Sequence, residues 1–436
     1  MSGPKVVRIV TREEILETCH GQLARVDAAL EEWMAVGKRN GCIDDAAVNA
    51  VQQRREHLAG LVAADRFVDF QKQAPVEEAF IRDDLRRRLV EVAKMQAEAR
   101  SRERREKEAA SALLNGLRAA GTPIEAELEA GLERGDPKAT GRALLLLGSR
   151  AESKADATLA ARLKDGVPAK SLADWVLAQS TEAEDPAIAR IDGRIAEIAQ
   201  LGPVEQEKEW RAKIAEARSI DGARRDLILD HLEVQTGQAL TALRKRGAAL
   251  SELKLTLAEA QAAGLDPGSW VNALDSLTVD EIEARTAALA EAIDAGRTAR
   301  AVAARRVAVL EGLSALGYEV NEGMETLWAS EGRLILKSAA RPDYGVELAG
   351  NERFQLRPVA FETRGHGPDL CRDRDAETIW CGDVATLRER LAKDGDRLEI
   401  ERAQPGGAVP LKRIERKSGG DGRGAEAPTR CTRTLG

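Results

Sequence analysis

Aromatic side chains are scarce, making up 3% of the 436 residues against 32% charged. Aromatics supply much of the bulk of a compact core, so their scarcity excludes one large globular core and favours long helices packed along narrow apolar seams. The late aromatics, Tyr318, Trp328, Tyr344, Phe354, Phe361 and Trp380, place the globular part near the C-terminal end. The helical region is expected to rely on Leu, Val, Ile and Ala. An excess of one charge sign is also missing. The 66 basic and 73 acidic groups leave a net charge of -7 and are interspersed, so no large basic field awaits phosphates and nucleic acid is not the expected partner.

Long hydrophobic runs are absent too. The longest, ALLLL at 143–147, falls far short of the roughly 20 residues that span a bilayer, and the first residues lack the apolar core of a signal peptide. No membrane partner and a cytoplasmic location are expected. Cys19, Cys42, Cys371, Cys381 and Cys431 form an odd, scattered set, read as reduced thiols without a disulfide framework. The phosphate-cradling G-x-x-x-x-G-K-[ST] is missing, as are G-x-G-x-x-G, H-E-x-x-H, G-x-S-x-G and C-x-x-C. No catalytic residue, metal or cofactor is assigned.

What is present is helical rhythm. After a short strand at 6–10, Thr11 and Glu14 form a capping box, and Leu16, Cys19, Leu23, Val26, Leu30 and Trp33 recur at steps of three and four. Gly37 to Gly41 closes this helix. A second, from about Asp45 to Gln71, carries Val48, Val51, Leu58 and Val62, and the short connection predicts an antiparallel hairpin with the first. Pro75 is expected to break the chain before a long helix from Val76 to about Ala120. Thr122-Pro123, Asp136-Pro137, Asp185-Pro186 and Asp266-Pro267 each set an N-cap oxygen before a proline suited to the first helical position. Long helices follow over roughly 222–263 and 279–316, the second opened by a Thr278–Glu281 capping box. The first carries one seam through Leu229, Leu232, Ala239, Leu243, Leu250, Leu253 and Leu257.

Near Leu316 the apolar period falls from about 3.6 to 2, the mark of strands. TLWAS and RLILK flank Glu331-Gly332 as a hairpin. Tyr344, Val346 and Leu348 line the next strand, and an odd-length loop would set Leu348 opposite Phe354 and Val346 opposite Leu356. Pro342 and Asp343 suit the centre of a type I turn, Gly345 marks a bulge or a close backbone approach, and Pro358 should end the ladder or lie on an edge. A helix from about Val384 to Lys393 and a strand at RLEIERA complete a small antiparallel sheet with one helix packed on it.

Chemistry-bearing candidates are few. HGPDLCRDRD offers His366, Cys371, Asp373 and Asp375, with Cys381 beyond, but not at zinc-ligand spacings, so an exposed polar loop is expected. IWCGD is read as Trp380 and Cys381 entering the small core. His20, His57 and His231 stand alone on helices, and Trp175 and Trp210 are read as anchors of helix junctions. ARSRERREK is basic, yet Glu98 precedes Arg102, and Glu103 precedes Lys107, by four residues, which builds ion pairs on a solvated face.

The fold expected is therefore mainly α, with long antiparallel helical hairpins or coiled coil followed by a small C-terminal α+β domain. The divisions are 1–120, 121–219, 220–316, 317–414 and a disordered tail at 415–436. The function expected is a non-enzymatic scaffold or adaptor subunit of a multiprotein bacterial-type assembly. Its partner class is protein, with an ATPase or effector in view and homo-oligomerisation left open. The residues chosen for partner contact are Arg341, Asp343, Tyr344, Gly345, Arg357 and Trp380. The alternatives are a nucleic-acid-associated accessory factor using the Arg-rich helix and basic tail, and a metal- or Cys-dependent hydrolase centred on 366–381.

Overall fold

A computed structural model describes residues 3–119, 121–147, 185–202, 204–268, 270–362, 369–407 and 409–415, with only the backbone at Asp275. The expectations for Trp175, His366, Cys431 and nearly all of the tail lie outside these residues. The chain is mainly α with a C-terminal α+β module.

Strand β1 (Lys5–Val10) leads into α1 (Arg12–Arg39), α2 (Asp45–Ala63) and α3 (Phe67–Ala119). The expected seam of α1 is the buried one, with Cys19, Val26, Leu30 and Trp33 inside. Its chief partner is α3 rather than α2. The expected break at Pro75 is not there: α3 runs through the proline, and the chain turns earlier, at Asp65, whose φ of 57° ends α2. Proline costs the helix one hydrogen bond, and burial of Phe70, Ala74 and Ile81 on both sides of it holds the helix together. Trp33 and Phe70 are fully buried in this cluster, so the helical region also uses aromatics. At 53 residues α3 spans about 80 Å, given about 1.5 Å per residue.

Helix α4 (Ala126–Glu133) and helical backbone over 137–147 fold back on the end of α3. Helix α5 (Pro186–Leu201) starts as expected, with Asp185 accepting from the Ala187 amide at 2.8 Å and proline in the first turn. Asp266-Pro267 opens only a turn, Asp266 accepting from Gly268 N. Helix α6 (Glu207–Ser219) precedes the long α7 (Ala223–Ala262) and α8 (Val279–Ala315). The seam of α7 divides. Leu229, Leu232 and Leu240 pack on α5 and α6, whereas Ala249, Leu253, Leu257 and Ala260 pack on Ile282, Leu289 and Ile293 of α8. Both halves of the Thr278–Glu281 capping box are formed. At Thr11 only one half is, because the Glu14 carboxylate turns instead to Arg305 of α8.

Separate small cores are thus strung along shared helices, and ion pairs join them. Arg25 of α1 grips Glu78 of α3 with two hydrogen bonds of 2.9 Å and Glu252 of α7 at 2.8 Å, while Arg82 reaches the same Glu252 at 2.8 Å. Burial opposes the charge on Glu252, but these guanidinium groups outweigh it and hold its pKa below the ordinary value.

Helix α9 (Met324–Glu331), β2 (Arg333–Lys337), β3 (Tyr344–Ala349), β4 (Arg353–Glu362), α10 (Leu370–Lys393), β5 (Arg397–Ala403) and β6 (Lys412–Glu415) complete the chain. The sheet order is β2-β3-β4-β1-β5, all antiparallel, and β6 runs parallel to the far half of β4. The strand at the chain's start therefore belongs to the C-terminal sheet, between β4 and β5, and not to the first helical hairpin. TLWAS is helix rather than strand: Gly323 and Gly332, at φ 83° and 68°, bracket two turns of α9 that drive Trp328 into the core against Phe354.

The β3–β4 loop is odd, but the register lies two residues on, with Leu348 opposite Leu356 and Val346 opposite Pro358. This loop is pinned, since Gly350 N donates to Gly332 O and Asn351 accepts from Arg306. Pro358 sits inside β4. The Phe361 amide points to β3, so alternation turns the amide-less edge of Pro358 to the other side, where β1 has stopped at Leu356 and β6 begins opposite Val359. The end of α8, α9 and α10 cover one sheet face through Val309, Leu313, Trp328, Trp380, Val384 and Leu387.

Candidate functional site

Of the stretch expected to be a polar loop, the described residues cap and begin α10, with 370–375 already helical. Asp369 caps it, its carboxylate accepting from the amides of Cys371 at 3.1 Å and Arg372 at 3.2 Å. Asp373, Glu377, Trp380, Val384, Leu387 and Leu391 then recur at steps of three and four and face the sheet. The later half of that stripe is apolar and the earlier half is acidic, which builds a polar belt where the helix crosses the strands.

Asp373 accepts from Tyr344 Oη at 3.0 Å and pairs with Arg413. Burial, then the Asp373 carboxylate, pushes the Tyr344 phenol up to about 12. One turn on, Glu377 is 2% exposed and its Oε2 accepts from Gly407 N at 2.6 Å. Lys5 of β1 enters beside it, 3% exposed, with Nζ 5.9 Å from the centre of the Trp380 ring. Burial pulls the Lys5 pKa down, and the adjacent Cys381 and Glu377 side chains offset part of that. At the far side Asp383 accepts from Tyr318 Oη at 2.7 Å and Arg341 at 3.0 Å, and burial first, then Asp383, raises the Tyr318 phenol.

The structure gathers Arg341, Tyr344 and Trp380 at this belt through internal contacts. Trp380 is 2% exposed and meets Tyr318 edge-on at 6.2 Å. Asp343 is exposed at the centre of the expected turn, which the Tyr344 amide closes on Arg341 O at 2.9 Å. Gly345 marks a close approach: a Cβ there would lie 2.3 Å from Leu336 O. Arg357 stands on the opposite, solvated face of the sheet. Asp375 and Cys371 are exposed, away from the buried Asp373, and no group of three His, Cys, Asp or Glu side chains suited to a metal occurs among the described residues. His20, His57 and His231 are exposed. Of the Arg-rich segment, Arg104 pairs inward with Asp192 and Lys107 with Glu103 at 2.7 Å, while Glu98 lies 3.9 Å from Lys94 rather than bonding Arg102. Sequence reasoning missed Lys5. In KVVRIV it shares the inward face with Val7 and Ile9, and a lysine at an apolar-face position was the available signal.

On the uncovered sheet face, Arg8 of β1 stands in register with Arg353 of β4. Both line a cleft of about 450 Å³ between the sheet and helices α1 and α8, together with Arg297, Arg305, Glu14, Asp294 and Glu352. Arg305 is engaged by Glu14, Arg297 by Glu259 at 2.9 Å, and Arg353 by Glu401 at 3.3 Å. Compared with known proteins, the chain matches no family model, no curated protein and no solved structure.

Proposed function

We propose that this protein is a non-enzymatic scaffold or adaptor subunit that docks a partner protein on the uncovered face of its C-terminal sheet, while helices α1 to α8 set a distance. The observation that carries the reading is the Arg8–Arg353 juxtaposition. Like charges directly opposite on adjacent strands repel. Arg353 is met by Glu401 at 3.3 Å, whereas Glu399, the neighbour of Arg8 on β5, pairs with Arg397 at 3.0 Å and not with Arg8. Arg357 and Gln355 extend the same exposed face along β4. An acidic segment of a partner would supply Arg8 with the counter-charge that Glu401 gives Arg353 and gain charge-assisted hydrogen bonds, with arginine well suited to grip carboxylates in pairs.

The test is co-purification of the full chain from its native cells, comparing wild type with Arg8→Glu/Arg353→Glu. One stoichiometric protein partner, lost in the double variant and released by salt, is expected. A monomeric wild-type chain, or a partner retained equally by the variant, overturns the reading. If instead wild type binds DNA or RNA at low salt and the variant does not, the accessory-factor alternative replaces it.

A further inference from the structure

We propose that Lys5 and Cys381 form a covalent cross-link site, in which a peroxide oxidises the thiol and the buried amine closes a sulfenamide between β1 and α10. A lysine 3% exposed is rare, because an unpaired ammonium is costly to bury. Lys5 Nζ makes no hydrogen bond that meets ordinary geometry, yet it is held beside the Cys381 sulfur and over the Trp380 ring. Glu377, 2% exposed, adds a carboxylate whose Oε1 is also without a hydrogen bond. Lys5 therefore has a thiol and a carboxylate beside it, and Glu377 and Cys381 lie one turn apart on α10. Cys381 is half-buried, whereas Lys5 is shielded from solvent.

The chemistry balances in two steps. The Cys381 thiol takes one oxygen from hydrogen peroxide, giving a sulfenic acid and water. The neutral Lys5 amine then attacks sulfur, the S–O bond breaks, and the hydroxyl leaves as water with a proton from nitrogen, which Glu377 can relay. The S–N bond formed can be reduced by a thiol. Burial, which lowers the Lys5 pKa, favours the neutral nucleophile. The link would tether the N-terminal strand to the helix lying over it.

The test treats the folded full-length chain with stoichiometric hydrogen peroxide, followed by alkylation, digestion and mass spectrometry. The expected product is about 2 Da lighter than the reduced chain, with one peptide pair joined through Lys5 and Cys381 that dithiothreitol separates. Lys5→Met and Cys381→Ala should each abolish the pair, and Cys371→Ala should leave it. Recovery of Cys381 from wild type as free thiol, higher oxide or disulfide, with no Lys5-linked peptide, overturns the proposal. Because wild type alone supplies that result, a variant that fails to fold does not obscure it.

Discussion

The backbone amide of Arg12 donates to Asp396 Oδ1 at 2.8 Å, joining residues 384 positions apart. The first turn of α1 is thus capped from two ends of the chain, by Thr11 beside it and by the turn between α10 and β5. Burial raises the Asp396 pKa, the Arg12 amide lowers it, and the negative neighbours Asp394, Glu13 and Glu311 raise it again, leaving it above the ordinary value. A carboxyl raised in the folded state binds its proton more tightly there than when unfolded. Its contribution to stability is therefore fully present below the unfolded value of about 4 and declines as pH rises through the folded value. Asp396→Asn keeps an acceptor for Arg12 without the charge. Its thermal midpoint at pH 7 should equal or exceed that of wild type, by at most about 1 kcal/mol in stability, and the advantage should shrink toward pH 4. A wild type that is clearly the more stable at pH 7 would show the charge to be needed.

Deleting residues 3–10 should dismantle the C-terminal module while sparing the helices. The deletion leaves facing edges of β4 and β5 without partners and removes Val7 and Ile9, both fully buried, at about 1.5–3 kcal/mol each. The cores along α3, α7 and the first half of α8 are separate clusters that do not contain β1. Circular dichroism should therefore keep most of its helical signal while hydrogen exchange at β3 and β4 rises to that of an open chain. Continued protection of Val346 and Leu348 would refute the dependence.

Local signals in the sequence were legible where the physics is local. The α1 seam from Cys19 to Trp33, the Thr278–Glu281 box, the Asp185-Pro186 start and the turn at Pro342 and Asp343 each involve groups within a few residues. The pairing of Lys5–Val10 with strands near residues 353 and 397 leaves no local mark, so the strand could be seen but not its partners. Asp369 is an N-cap signal, but weighing the stretch only as a metal-ligand set leaves it as a polar loop and hides the helix start. Gly332 reads equally well as a hairpin turn or a helix C-cap, because a left-handed residue serves both. The belt escaped for a similar reason: Asp373, Glu377 and Asp383 look like ordinary surface acids until Tyr344, Lys5, Arg341 and Tyr318 arrive from other strands and loops.

Asp84 should prove the most sensitive carboxylate of the helical region. It is 6% exposed, accepts from Trp33 Nε1 at 3.0 Å and Arg88 Nε at 2.6 Å, and pairs with Arg87. Burial raises its pKa, but Arg88, Trp33 and Arg87 together hold it below the ordinary value. The stability it provides is therefore present above about pH 4 and is lost as pH falls through the folded value. Asp84→Ala leaves the Trp33 indole N–H without its acceptor and should cost about 2–3 kcal/mol at pH 7, measured by urea unfolding, with the cost shrinking in acid. A loss below about 0.5 kcal/mol would mean that water substitutes for the carboxylate.

Two glycines of the C-terminal module should respond to alanine with opposite signs. Gly345 has no unusual φ, so its need for glycine is steric: the added methyl would sit 2.3 Å from Leu336 O and 3.0 Å from the Phe361 ring. The carbonyl belongs to β2, and moving it breaks the ladder in which Leu336 pairs with Val346 and Lys337 with Gly345. Overpacking of this kind costs about 1–3 kcal/mol, and Gly345→Ala should also loosen β2, seen as faster exchange of its amides. Gly382 lies exposed within α10, where a Cβ meets nothing within 4 Å. Alanine there restricts the unfolded chain and suits the helix, so Gly382→Ala should gain about 0.5–1 kcal/mol. Equal effects at the two positions would contradict the close approach at Gly345, since the same substitution differs between them in surroundings and backbone, not in chemistry.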